Sequence, residues 1–328
     1  MSKPTVRTHF LLISFLLASI MSASAAWASS AIDAFEQEDY PKAKKLFRSH
    51  SDKIEADYYL GRIALIEKEL DTAEDYLEKA VEALPENPDY HFWYGLVNAR
   101  QAANASIFTA PGYASDAKAH FKKALAINPS HVKAMKGLIS FYSNAPAIAG
   151  GSDEKALAMA DKLYAVDAKE GLISKIAIYR EQQELDDELK IAQQLMNDFP
   201  DSPRALLKAG FAYQYAKQYE RALEIFEKAV KKQNEDEANY LTGALYQIGR
   251  TAALSEKYTQ RGIEALRRYL EKDISSDLPS IYWAKFRLAS LYLRQGNKED
   301  ARQLALEVSK NKDDVTLAKR AKKLLKKI

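Results

Sequence analysis

The segment Ile54–Asn87, IEADYYLGRIALIEKELDTAEDYLEKAVEALPEN, places small residues at fixed intervals between larger apolar ones. Gly61 and Ala73 stand where two helices of a pair would cross, since a small side chain lets two helices approach closely. Leu77 supplies the bulk beside that crossing. Pro85 ends the second helix because proline has no backbone N–H to donate. The segment therefore predicts a hairpin of two packed helices.

The same spacing of residues recurs along the chain. Pro203–Asp236 repeats it in full, and Gly95, Gly243 and Ala289 open further copies. Near the start, Ala43 and Phe47 suit the second helix of another copy. A helix pair of this size can bury its apolar face only against a neighbouring pair. We therefore predict a stack of about eight helix pairs.

This pattern resembles the tetratricopeptide repeat (TPR) family. The resemblance implies an all-α fold, a right-handed superhelical solenoid of about eight TPR-like helix pairs over residues 29–313. Three copies are longer than the repeat, which predicts insertions near 101–116, 144–151 and 250–261. The segment 314–328 alternates apolar residues with lysines at helical spacing, which predicts a basic amphipathic helix that caps the C-terminal end.

The N-terminal segment has the pattern of a secretory signal. Lys3 and Arg7 precede an apolar run over 10–21, which is shorter than the roughly 20 residues that span a bilayer. Small residues follow, so we predict a signal peptide over 1–25, with cleavage after residue 25 or as late as residue 28. The chain has no cysteine, which excludes lipid attachment as well as disulfides. We expect an exported protein, periplasmic or secreted, that is not a lipoprotein.

The chain lacks the motifs that carry catalysis. The histidines are scattered, and Gly150-Gly151 lacks the lysine of a phosphate loop. We interpret Asp186-Asp187-Glu188 as the acidic first turn of a helix rather than a metal site. Loss of Lys3 and Arg7 lowers the formal charge from +3 to +1, which gives no field favouring nucleic acid. We predict no enzymatic activity, no cofactor and no metal site.

Candidate binding residues follow from the resemblance, because the first helices of TPR pairs line a concave groove. At the family's ligand-facing positions this chain has aromatic residues beside arginine and lysine, a combination typical of interface hot spots. The alternative is that several of them pack against the next helix pair. The candidates are Tyr58, Arg62, Phe92, Arg100, Lys136, Phe211, Tyr215, Tyr240, Trp283 and Phe286.

A second candidate surface comes from the insertions at 101–116 and 144–151. Each joins the two helices of one pair, so we expect both to emerge side by side on one edge of the solenoid. The Ala-Pro-x-Ile-x-Gly-Gly stretch at 145–151 resembles a group of exported bacterial TPR proteins. The residues of this edge are Phe108, Tyr113, Pro146, Ile148, Gly150 and Gly151.

These features favour a protein–protein interaction scaffold or adaptor of the bacterial cell envelope. Its partner would be another protein or a peptide segment, bound in the concave groove, and not nucleic acid. The alternative is a periplasmic solute-binding or transporter-accessory TPR protein, which a closed apolar pocket under the insertions would favour. Contact of the basic helix 314–328 with a membrane is less favoured than capping.

Overall fold

The computed structural model describes residues 30–50, 52–232, 234 and 236–328. The predicted signal peptide lies outside these residues. All regular secondary structure in the described ranges is helical, which confirms the predicted all-α class. The chain forms two compact units, which divide between Met159 and Ala160.

The described part of the first unit contains seven complete or partial helices and the start of an eighth. Their bounds are 30–36 for the described part of α1, Tyr40–Arg48 for α2, Lys53–Ile66 for α3, Leu70–Ala83 for α4, Pro88–Asn104 for α5, Ala110–Ile127 for α6 and Val132–Asn144 for α7. A single 3-10 turn, Ala147–Ala149, precedes α8, Asp153–Val166, which runs into the second unit.

The second unit continues with the same hairpins and ends on a single helix. Its bounds are Ala168–Glu181 for α9, Leu185–Asp198 for α10, Pro203–Tyr215 for α11, Tyr219–Val230 for α12, Ala238–Ser255 for α13, Thr259–Leu270 for α14, Ile281–Gln295 for α15, Lys298–Ser309 for α16 and Val315–Leu325 for α17. Each helix packs chiefly against the helices next to it in sequence, and α11, α13 and α15 also pack on one another. None of the described helices combines the length and apolar character that a bilayer crossing needs.

Capping residues and prolines set where the helices begin. Asn87 precedes Pro88 at the start of α5, and its side chain accepts hydrogen bonds from the backbone N–H groups of Asp89 and Tyr90 at 3.0 and 3.3 Å. Ser202 precedes Pro203 at the start of α11 in the same way. Proline fits the first helical turn because no N–H is needed there.

Glycines bring the two helices of a pair together, as predicted. A methyl group on Gly61 would lie 2.6 Å from Leu77, and one on Gly210 would lie 2.4 Å from the Phe226 ring. A methyl group on Gly95 would lie 3.0 Å from the Phe121 ring, which is also a tight contact. Any side chain at these positions would push the helices apart.

The predicted register of α13 is wrong by six residues. A methyl group on Gly243 would make only ordinary contacts, 3.4 Å from Leu278 and 3.5 Å from Leu207. Gly249 is the residue that meets the second helix, 2.2 Å from Leu266. Gly243 is followed three residues later by Tyr246, as Gly210 is by Tyr213, and this spacing predicts Gly243 as the crossing point.

The predicted insertions take a different form from loops. At 250–261 there is no insertion, because α13 continues to Ser255 and α14 begins at Thr259, so the additional residues lengthen the start of α13. The insertion at 101–116 is mostly helical, since it extends α5 and α6 and leaves only 105–109 between them. The connection 145–152 contains the 3-10 turn.

The last helix, α17, covers the end of the second unit. Leu317 and Ala321 are fully buried against Val308 of α16, as a capping helix requires. The lysines and arginine of its other faces are exposed.

Candidate partner-binding site

A pocket of about 670 Å³ opens in the second unit between α11, α13 and the loop 271–280. Leu207 and Phe211 lie four residues apart and therefore project from one face of α11. Tyr240, Gly243 and Gln247 likewise share one face of α13. Leu278 closes the pocket from the loop. These six residues, with the charged rim of Lys208, Asp236 and Asp277, give a cleft that is apolar within and polar at its mouth.

Gly243 keeps this pocket open. It faces Leu207 and Leu278 across the cleft and has no side chain to fill it. Phe211 is held in place by an edge-to-face contact with the Phe226 ring, 5.9 Å away. The apolar wall is therefore rigid before anything binds, which reduces the entropy lost on binding.

An ionic network fixes the helix ends beside Tyr240. Glu237 accepts hydrogen bonds from the Lys169 side chain at 2.8 Å and the Ser202 hydroxyl at 2.7 Å. It accepts a third from the backbone N–H of Arg204 at 2.9 Å. Burial acts to raise the pKa of Glu237, but these bonds outweigh it and hold the pKa below its ordinary value. The Arg204 guanidinium lies 5.6 Å from the centre of the Tyr240 ring, so the network positions that ring at the mouth of the pocket.

The inner end of the pocket continues into buried amides. The Gln214 amide donates to the Thr251 hydroxyl at 2.6 Å, and Arg250 Nη1 donates to Gln214 Oε1 at 2.8 Å. Gln247 accepts a longer bond, 3.4 Å, from the same Arg250 nitrogen. Burial and the positive charge of Arg287 lower the pKa of Arg250. This network joins α11 to α13 and orients a guanidinium one turn beyond the pocket.

The structure brings some of the candidate groove residues together. Phe211 and Tyr240 line the one pocket. Trp283 and Phe286 touch at 6.1 Å between ring centres, where Phe286 packs under α17. Tyr215 is 53% exposed, with the Arg180 guanidinium 5.5 Å from its ring centre.

In the first unit, Arg62 is engaged by its own neighbours. Its guanidinium lies 4.4 Å from the ring centre of Phe35 and 4.6 Å from that of Trp93. The rings of Tyr58 and Tyr59 complete the enclosure at 5.1 and 5.2 Å. Burial, opposed by the charge of Arg62, raises the pKa of Tyr58 to about 12. These contacts use the faces of both candidates, Tyr58 and Arg62, for internal packing.

Phe92 is a core residue and not a groove residue. It is 8% exposed, and its ring lies 6.0 Å from that of Phe121 and 5.7 Å from that of His131. The prediction that it faces a ligand is wrong because α6 and α7 cover it. Arg100 and Lys136, by contrast, are exposed.

The insertion edge presents exposed apolar side chains, among them Ile107 beside Phe108. Phe108 is 91% exposed and Ile148 is 99% exposed, whereas Tyr113 is partly buried. The Ile148 turn is internally bonded, since the carbonyl of Pro146 accepts from the N–H groups of Ala149 and Gly151 at 2.8 and 3.1 Å. Gly150 has a φ of +93°, which glycine adopts without strain.

The sequence pattern does not single out several residues that lie at the site. When the register of α13 is shifted by six residues, Arg250 falls at one of the family's ligand-facing positions. Leu278 belongs to the connection 271–280, and its additional length was the available signal. Arg287 and Arg320 lie at positions that the resemblance did not single out.

Comparison with protein families identifies the repeats. The family model described as tetratricopeptide repeat matches residues 29–88 and 246–314, and a second model of the same description matches 204–233. The chain contains tetratricopeptide repeats. TPR proteins generally mediate protein–protein interactions, and the TPR fold is typically a non-enzymatic scaffold.

Solved TPR structures share this fold at low sequence identity. Yeast Tom70 is 16% identical with a TM-score of 0.64, and the match covers 93% of this chain and 60% of Tom70. A tetratricopeptide repeat protein from Parabacteroides merdae is 14% identical with a TM-score of 0.53, covering 82% of this chain and 99% of that one. Human IFIT1, solved as a dimer with m7Gppp-AAAA, is 15% identical with a TM-score of 0.52, covering 92% and 72%. A search of curated protein sequences finds no match. These likenesses establish the fold alone.

Proposed function

We propose that this TPR protein is an interaction scaffold or adaptor of the bacterial cell envelope, and that a segment of another envelope protein binds in the pocket between α11 and α13. The pocket is the observation that carries the proposal. It combines an apolar interior at Leu207, Phe211 and Leu278 with a rim of both charges. An apolar side chain of the partner would fill the interior while its backbone and polar groups meet the rim.

The location of the pocket favours the scaffold over the solute-binding alternative. That alternative called for a closed apolar pocket under the insertions, which belong to the first unit. The pocket is formed by second-unit residues alone, and its mouth is charged. The assignment to the envelope is supported by the basic and apolar pattern of residues 1–25.

Site-specific crosslinking tests where the partner binds. A photo-crosslinking amino acid in place of Asn239, at the pocket mouth, should capture a partner from the envelope fraction. The same substitution at Lys228, which is exposed on α12, is the control. Equal capture at both positions would contradict binding in the pocket. Fractionation of cells that produce the full chain tests the proposed export.

The captured partner then allows a direct test of occupancy. Gly243→Met should weaken binding of the partner segment by about thirtyfold, the size of a hot-spot effect of about 2 kcal/mol, because the new side chain fills the cleft. Gly112→Met is the matched control, since a methyl group on Gly112 would meet no atom within 4 Å. Binding isotherms and melting curves should be recorded on both variants. Unchanged affinity in folded Gly243→Met would refute the pocket as the binding site.

A further inference from the structure

A row of alternating arginines and aromatic rings crosses α13, α15 and α17. Arg287 lies 5.4 Å from the centre of the Tyr246 ring and 5.5 Å from that of Trp283. On the other side of Trp283, the Arg320 guanidinium of α17 lies 5.4 Å from the ring centre. Arg250 of α13 precedes this row and is close enough to Arg287 for their charges to repel. The row therefore places three guanidinium groups on three successive packed helices.

The guanidinium groups of this row have no ion-pair partner among the described residues, although the Asp314 carboxylate is hydrogen-bonded to Trp283 between two of them. Within the described ranges, no carboxylate forms an ion pair with Arg250, Arg287 or Arg320. Some arginines of the unit are paired, such as Arg204 with Glu170 and Arg261 with Glu227. Arg250 and Arg287 are close enough for their charges to repel, and an anionic ligand would reduce that repulsion.

Neutral neighbours hold the row in position. Arg287 Nε donates to the Tyr246 hydroxyl at 2.9 Å, and Tyr246 is buried. Trp283 Nε1 donates to an Asp314 carboxylate oxygen at 3.1 Å, which fixes the ring between its two arginines. Arg250 is held by the buried amide of Gln214. Each of these hydrogen bonds leaves other guanidinium N–H groups of the arginine for a ligand.

We propose that this row binds an acidic, extended segment of the partner, which continues from the pocket across α15 onto α17. This inference rests on the proposed function. Packed helix axes lie about 8–10 Å apart, and three residues of an extended chain span about 10 Å. A carboxylate at every third residue would therefore meet one guanidinium per helix. Arginine suits this role because its planar group pairs with a carboxylate through two parallel hydrogen bonds.

The inference gives α17 a second role. The helix buries Leu317 and Ala321 to cap the unit, while Arg320 extends the binding surface. Lys322 lies on the opposite side of the same helix from Arg320, at about 200° of helical rotation. It is exposed and has no described ion pair, so it serves as a charge-matched control.

The test uses a fluorescein-labelled dodecapeptide with glutamate at every third position and glycine or serine elsewhere. Fluorescence anisotropy with the mature protein should show binding that weakens about tenfold in Arg287→Gln and in Arg320→Gln. Lys322→Gln, which changes the net charge equally, should weaken it less than twofold. Melting curves confirm that each variant is folded. Equal weakening in all three variants would show unspecific charge attraction and overturn the proposal, as would no binding at all.

A second arm separates a peptide from a lipid surface and from failure of the pocket. Vesicles of phosphatidylcholine with phosphatidylglycerol should bind the wild type no better than Arg320→Gln. If Arg320→Gln instead loses most of its vesicle binding, and the wild type does not bind the peptide, the ligand of the row is an anionic membrane and not an acidic segment. If the segment crosslinked at Asn239 lacks acidic residues, this inference fails while the pocket stands. If the acidic peptide binds the row but Asn239 and Lys228 capture equally, the pocket fails instead.

Discussion

At the scale of the residue, Glu188 departs most from the repeat pattern. It stands at the start of α10, where the repeat favours a small residue, and its side chain is fully buried. Arg180 of α9 donates to it from Nε at 2.8 Å and also from a second nitrogen. Burial raises the pKa of Glu188, and the charge of Arg180 opposes that rise. A salt bridge therefore replaces the usual small-residue contact in this pair.

We expect Arg180→Ala to lower the free energy of unfolding by about 2–3 kcal/mol, because it leaves a buried carboxylate without its partner. The Arg180 side chain is 31% exposed, so the loss should fall below the 3–5 kcal/mol that is typical of fully buried pairs. Glu188→Ala should cost less, since the freed guanidinium can reach solvent. Urea denaturation of both variants measures the difference, and a larger cost for Glu188→Ala would contradict this account.

A histidine pair predicts a pH dependence of stability. His91 Nε2 donates to the Pro85 carbonyl at 2.8 Å, so its Nδ1 accepts from His120 Nδ1 at 2.9 Å. Burial, assisted by the charge of His91 and opposed by Asp116, lowers the pKa of His120 from 6.5. The folded state thus binds fewer protons than the unfolded state just below pH 6.5.

The contribution of His120 to stability should be complete above pH 6.5 and should fall as the pH drops through the lowered pKa. Denaturation midpoints from pH 8 to pH 5 measure this loss. In His120→Gln the loss of stability between pH 8 and pH 5 should be smaller than in the wild type. The other histidines are the same in both proteins, so the difference reports His120. A pH profile of the variant that parallels the wild type would rule out this pair as the source.

At the scale of the helix, α17 combines capping with an unpaired basic surface. Deleting 314–328 should expose Val308, Trp283 and Phe286 and lower stability by about 2 kcal/mol, or roughly 4–8 °C in melting temperature. Replacing Lys319, Lys322 and Lys326 by glutamine should leave the melting temperature nearly unchanged, because these side chains are exposed. Calorimetry on both variants separates the two roles. If the glutamine variant melts as early as the truncated chain, capping by the apolar face is not what stabilises the end.

The helix pairs were predictable because their determinants are local. Gly61, Gly210 and the large residues opposite them recur at one spacing, and that spacing is a direct consequence of helix crossing. The register of α13 was not predictable with the same rule, because Gly243 has an aromatic residue three positions later, as Gly210 has, whereas Gly249 is the glycine that packs against Leu266. The pocket could not be predicted from the sequence for a related reason. Leu278 lies on an irregular connection, and nothing in a periodic pattern fixes where such a residue points.

At the scale of the whole molecule, the candidate surfaces differ between the two units. The first unit uses Phe92 and Arg62 for its own packing, whereas the second unit contains the pocket and the arginine row. The repeat positions of the candidate residues predicted ligand contacts in both units. The aromatic residues predicted to line the groove therefore differ in burial and in packing partners between the two units.

Phe92→Ala should accordingly reduce stability by about 3–5 kcal/mol, as expected for a large aromatic removed from a core. Tyr215→Ala, at another candidate groove position but half exposed, should change stability by less than about 1 kcal/mol. Thermal melts of the two variants provide the comparison. Similar melting temperatures would mean that Phe92 is not part of the core.

The position of Leu278 on a loop affects how the binding specificity of this protein can evolve. The glycine contacts that hold the helix pairs together do not include the connection 271–280. Exchange of Leu278 for another apolar residue can reshape one side of the cleft while this loop keeps its contact with the core. Substitutions in α11 or α13 alter the cleft and the helix packing together. The loop is thus the segment in which selection can retune partner choice while the inherited scaffold stays intact.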